Sequence, residues 1–242
     1  MIVGGKVRLG GARGKLNCRN LLWTLTFVLA GCAGEIVPQD PLSRRLAWFD
    51  LVGGEDIRAQ CRPGAPTQAR LLYNAIYDEQ VRIYDLAVAA DGRGRLDTVV
   101  LPGRVRLGYI GLDDLANALT GVRDRQVLAP ADTGALLSAV EASGTLAPPP
   151  VGLQLRSDSF YWTVAACRDG RWHFTGFAYP SAQFAALQFP VELFRLERSG
   201  VAVNPPRRLD LGPFEPNSRH DTGYRRTGPR FLVEIGRTGI VR

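Results

Sequence analysis

Apolar positions recur with two different periods along this chain, and the change of period marks out its elements. From Ala69 to Ala90 (ARLLYNAIYDEQVRIYDLAVAA) they are dense enough to fit one helix or two strands. The β-branched and aromatic residues Tyr73, Tyr77, Val81, Ile83 and Tyr84 favour strands. Alternation changes phase between Val81/Ile83 and Leu86/Val88, as one bulge residue would cause. Asp91-Gly92 then predicts a hairpin turn into a strand at Leu96–Leu101. Val105, Leu107 and Tyr109 alternate with Arg104 and Arg106, the pattern of a half-exposed strand. Beyond it the period becomes helical. Leu112, Leu115, Leu119 and Val122 lie three or four apart, with Asp113 to cap the start and Gly121 to end the segment. A second helix is predicted from about Asp132 to Ala142, ending near Gly144.

Pro148-Pro149-Pro150 is a stiff connector, and 144–151 is the best internal boundary. Phe160–Cys167 and Arg171–Tyr179 flank Arg168-Asp169-Gly170 as a second hairpin, whose aromatic load places it in the core. Phe184–Leu196 fits either strand or helix. Asn204–Arg230, rich in Pro and Arg, reads as irregular, and Phe231–Ile235 as a last strand. On the N-terminal side, Leu46–Val52 (LAWFDLV) predicts a first strand stopped by Gly53-Gly54. Glu55–Cys61 predicts a short helix, with two acids in the first turn and Ile57 and Cys61 on one face. The expected fold is α+β: mainly antiparallel sheet with two or three short helices.

Before this lies a different kind of segment. Lys6, Arg8, Arg13, Lys15 and Arg19 precede the apolar run Leu21–Ala30, and no acidic residue interrupts them. A basic stretch, a short apolar run and then small residues is the order of an export signal. About ten residues is too short for a helix to cross a hydrocarbon core that needs ~20. Leu29-Ala30-Gly31-Cys32 resembles the lipobox of bacterial lipoprotein precursors. The resemblance covers only about the first 34 residues. It implies a signal over 1–31, cleavage before Cys32 and a diacylglycerol on the Cys32 sulfur, with further acylation of the new amino group. Ala33 after that cysteine leans toward the outer membrane. Residues 32–45, with Gly34, Pro38 and Pro41, read as a tether, and 46–242 as the globular part. Two or more acyl chains anchor where one is marginal, at ~0.8 kcal/mol per buried methylene.

Charge adds little once the signal is set apart. The formal net charge is +7, but the first 31 residues hold five of the 30 basic side chains and none of the 23 acidic ones, leaving +2. That is no nucleic-acid stripe, so no nucleic-acid partner is expected. Of four cysteines, Cys18 leaves with the signal and Cys32 takes the lipid. Cys61 and Cys167 then form a disulfide in an oxidising compartment, or stay as two buried thiols acting as small hydrophobes. A disulfide would close a loop of about 106 residues, a contribution of ~4–5 kcal/mol in the chain-entropy model.

Candidate chemistry is sparse. The two histidines, His173 and His220, have no Cys/Asp partners at metal-ligand spacing, so no metal or cofactor is expected. There is no G-x-S-x-G elbow, and Gly92-Arg93-Gly94 reads as a turn rather than a phosphate loop. Asp78-Glu79 and Asp113-Asp114 are acid pairs, but neighbours on a strand point to opposite faces, so turns or helix caps explain them better than a glycosidase site. His220-Asp221 reads as a solvated turn. The tail arginines Arg207, Arg208, Arg219, Arg225, Arg226 and Arg230 are solvated, or touch anionic headgroups or a partner. Three functions fit this pattern. The first is an envelope lipoprotein, anchored by lipid, that binds another envelope protein without catalysis. The second is a periplasmic hydrolase or carbohydrate-active enzyme using a distant Asp/Glu pair. The third is a module holding a lipid or small ligand in an apolar pocket between sheet and helices.

Overall fold

A computed structural model describes residues 48–102, 121–214 and 230–241. Its strands are Gln68–Ala75 (β1), Gln80–Val88 (β2), Gly94–Pro102 (β3), Val122–Leu128 (β4), Gln154–Arg156 (β5), Phe160–Arg168 (β6), Arg171–Ala178 (β7), Leu232–Ile235 (β8) and Ile240–Val241 (β9). Six of them form one antiparallel sheet in the order β4-β3-β2-β1-β6-β7, and the rest a small sheet β5-β8-β9. The helices are Glu55–Gln60 (α1), Pro130–Ala142 (α2), Ala182–Ala185 (α3) and Phe189–Leu196 (α4), and residues 48–53 are also helical. The fold is α+β and mainly antiparallel. Among the described residues its short helices number five rather than two or three.

Both faces of the large sheet are covered. On one, Leu71, Tyr73, Tyr84, Leu86, Phe160, Trp162 and Val164 pack against Leu136 and Val140 of α2 and Phe189, Leu193 and Leu196 of α4. On the other, Leu72, Val81, Ile83, Tyr161, Ala165 and Phe174 pack against Val52, Leu155, Phe231, Val233 and Ile235. An antiparallel sheet with one wet face shows clean alternation; one covered on both sides reads as near-continuous apolar runs. That accounts for the phase change read as a bulge in β2, which is absent. The β2–β3 register runs unbroken from Gln80↔Pro102 to Val88↔Gly94. Val81 and Ile83 face the small sheet, while Tyr84, Leu86 and Val88 face the helices.

Two other expectations need correction. Leu46–Val52 was expected as a strand, but the described residues 48–53 are helical. They lie over a face of the sheet, where no free strand edge is offered, so their backbone groups must be paired locally. Gly54 then ends the turn at φ 66, and a Cβ there would come 2.4 Å from the Ala165 side chain. Val122, placed at the end of a helix, instead opens β4, an edge strand whose Arg123, Asp124 and Arg125 hide any apolar alternation. The expected strand Arg104–Ile110 and most of the helix 112–122 lie outside the described residues. The two hairpins form as expected. Asp169 and Gly170 both take positive φ, 52 and 69, as a two-residue hairpin loop requires.

The large sheet is continuous across the triproline, since β1 pairs with β6 from Gln68↔Cys167 to Ala75↔Phe160. All the described residues belong to one compact unit, Arg45–Arg242. Cys61 and Cys167 are disulfide-bonded, with an S–S distance of 2.03 Å and Cα atoms 5.5 Å apart. The bond ties the end of α1 to the end of β6.

Candidate binding groove

The helical face of the sheet carries an aromatic floor. Tyr73 of β1 and Trp162 of β6 are register partners, and their rings stack with centroids 4.7 Å apart. Phe160 lies along the same face beside Tyr73, at 6.4 Å, and Phe189 meets Trp162 edge-on at 5.0 Å. Beyond β7 the chain turns at Tyr179-Pro180, and the Ser181 hydroxyl accepts a hydrogen bond from the Phe184 N–H at 3.0 Å to start α3. That cap brings the Phe184 ring to 5.3 Å from Tyr179. α4 follows with Pro190 in its first turn, where a missing N–H costs nothing, and its Phe194 leans over both Tyr73 and Trp162. Between these groups and Pro206 runs a half-open groove of about 560 Å³, also lined by Ala185 and Leu187. That size falls within the ~300–1,000 Å³ of small-molecule sites.

One wall is a strap, residues 199–207, held to the sheet by buried polar groups. Arg82, fully buried on β2, donates to the Glu197 carboxylate, to the Val201 carbonyl and, at 2.8 Å, to the Gln80 side-chain oxygen. The Tyr84 hydroxyl donates to the other Glu197 oxygen at 2.6 Å. Gln80 also accepts from the Asn204 N–H and donates to the Ala202 carbonyl, and the Tyr73 hydroxyl donates to the Asn204 carbonyl at 3.0 Å. Burial pushes the Tyr73 hydroxyl up, against a smaller downward pull from Arg82 and Arg207. Burial and then Glu197 push Tyr84 up.

The turn from β1 to β2 positions these anchors. Ile76 sits there at φ 64, an unfavourable conformation for a β-branched side chain, and its carbonyl accepts from Glu79 and Gln80 N–H groups. Glu79 is thereby presented to Arg207, which donates to both its oxygens at 2.9 and 2.6 Å.

A second charged cluster occupies the opposite face. Arg70 donates to Asp56 at 2.8 Å and to Asp85 at 2.7 Å. Burial opposes ionisation of both acids. At Asp56 the Arg70 guanidinium outweighs it and holds the carboxyl below its usual range, while at the more buried Asp85 burial wins and the carboxyl is pushed up. Arg70 thereby ties α1 to β1 and β2.

Most of the residues singled out from sequence have structural places. Asp78-Glu79 forms the β1–β2 turn, and Gly92, at φ 82, lies in the β2–β3 turn. His173 is a sheet residue of β7, paired with Ala166. Arg207 is bonded to Glu79 and Arg230 to Asp158, while Arg208 is exposed. Cys32, Asp113-Asp114, His220-Asp221, Arg219, Arg225 and Arg226 lie outside the described residues. Among the described residues no group of His, Cys, Asp and Glu side chains is placed to hold a metal ion, and no helix is long and apolar enough to cross a membrane. Sequence reasoning noted the aromatic load of the second hairpin but missed Phe184, Leu187, Pro190, Phe194 and Pro206 as one lining. The Pro-x-x-x-Phe spacing of Pro190 and Phe194, one helical turn apart, was the only local signal. No family model and no curated protein matches this chain.

Proposed function

We propose that this protein is an envelope lipoprotein, anchored through Cys32, whose globular part binds an apolar ligand in the groove over Tyr73 and Trp162. The supporting observation is the groove itself: about 560 Å³, half-open, walled by aromatic rings, prolines and aliphatic side chains. Such a lining offers apolar burial and dispersion contacts. Nearby charges at Arg82 and Glu197 are engaged with one another in holding the strap. Burial of each methylene contributes ~0.8 kcal/mol, set against an association cost of ~4–15 kcal/mol. A ligand must therefore fill much of the groove to be held. The lipobox and basic-then-apolar N-terminus support the location; a tether would leave the groove free to exchange ligand with a membrane or a partner.

A neutral apolar dye, phenylnaphthylamine, tests the site. Saturable one-to-one fluorescence enhancement is expected in the parent chain. It should be lost in Ala185→Trp, which fills the groove from an exposed position. Absence of saturable binding, or equal binding by both proteins, overturns the proposal.

A further inference from the structure

The groove has a charged rim, and its position assigns a ligand class. The Arg207 guanidinium lies 5.3 Å from the centroid of the Phe160 ring. That ring is 6.4 Å from Tyr73 and 5.9 Å from Tyr179, both of which line the groove, and the preceding residue, Pro206, lines it too. The cation thus stands one aromatic ring from the cavity. Its side chain is 44% exposed, so it is open to solvent and to a ligand's head. Arg207 donates to the Asn204 side-chain oxygen at 3.0 Å and to the two Glu79 oxygens. A guanidinium carries five N–H donors, so two remain for another acceptor.

We infer that the groove takes a fatty-acid carboxylate, its tail over Tyr73 and Trp162 and its head on Arg207. This rests on the groove being the binding site. A purely apolar occupant would gain nothing from the rim. A carboxylate accepts charge-assisted hydrogen bonds from Arg207, and planar guanidinium geometry suits it. Glu79 is then a competitor: it occupies part of the same guanidinium and weakens attraction for an added carboxylate.

Calorimetric titration of the full-length Cys32→Ser chain with decanoate and with decanol tests this. Arg207→Gln should weaken decanoate binding by about tenfold, the size expected for one charged hydrogen bond, and leave decanol unchanged. Glu79→Gln should tighten decanoate several-fold. Damage to the strap would weaken both ligands, so a gain in Glu79→Gln separates head recognition from mere structure. Decanol binding with decanoate affinity indifferent to both substitutions would overturn the inference while leaving the groove proposal standing. Failure of both ligands to bind would overturn the two together.

Discussion

At the residue scale, buried charges set the sharpest expectations. Arg82 has no exposed side-chain surface and Glu197 only 6%, so removing one leaves the other ionised in a place water does not reach. Breaking such a pair costs ~3–5 kcal/mol. Glu197→Ala is therefore expected to lower the free energy of urea unfolding by about that amount, whereas an exposed pair such as Arg93–Asp91 should change it by under ~1 kcal/mol. Asp158, 4% exposed, is shared between two cations, Arg156 and Arg230. Burial pushes its carboxyl up, but hydrogen bonds from Arg156 and Arg230 outweigh that and hold it below its usual range. A depressed carboxyl contributes stability above its unfolded value of ~3.9, lost as pH falls through the lower folded value. Asp158→Asn should lower thermal stability at neutral pH and flatten the decline below about pH 4. Neither network was legible in the sequence. Arg82 stands between Val81 and Ile83 as any solvent-facing strand residue would, and its acid lies 115 residues away.

At the scale of elements, the disulfide joins α1 to β6 across the longest-range strand neighbours in the large sheet. Reduction, or Cys167→Ser, is expected to lower unfolding free energy by ~2–5 kcal/mol, read as a shift in urea midpoint with and without reductant. Elements whose signals are local were legible. Asp91-Gly92 and Asp169-Gly170 announce turns by their tolerance of positive φ, and α2 follows from Leu136 and Val140, one helical turn apart, with Gly144 just beyond its end. Elements that depend on what covers them were not. Trp48, Phe49, Leu51 and Val52 suit a strand or a helix equally, and only the closed hydrogen-bond ladder beneath them decides. β4 buries only Leu128 and leaves Val127 exposed, and β5 is three residues long. The groove was half legible. Its floor comes from the aromatic hairpin that stood out, but its rim is assembled from Pro180, Pro190 and Pro206, which in sequence look like ordinary breakers.

For the whole molecule, location follows from one atom. If the Cys32 sulfur carries the lipid, Cys32→Ser abolishes metabolic labelling with a radioactive fatty acid and leaves the chain unprocessed or released from membranes; undiminished labelling would refute the anchor. Cys61 and Cys167 bear on a separate matter, the order in which this fold is made. β1 and β6 are neighbours in space yet, among the described residues, are separated by four strands and a helix in the chain, so their meeting is entropically slow. Cys61 lies seven positions before the start of β1, and Cys167 is itself the register partner of Gln68. Once the two sulfurs join, the distant encounter becomes a short zipper that starts from an already aligned end. Oxidation before folding should therefore speed assembly of the central pair, and a chain kept reduced should linger with these two heavily buried strands exposed to their counterparts in other chains.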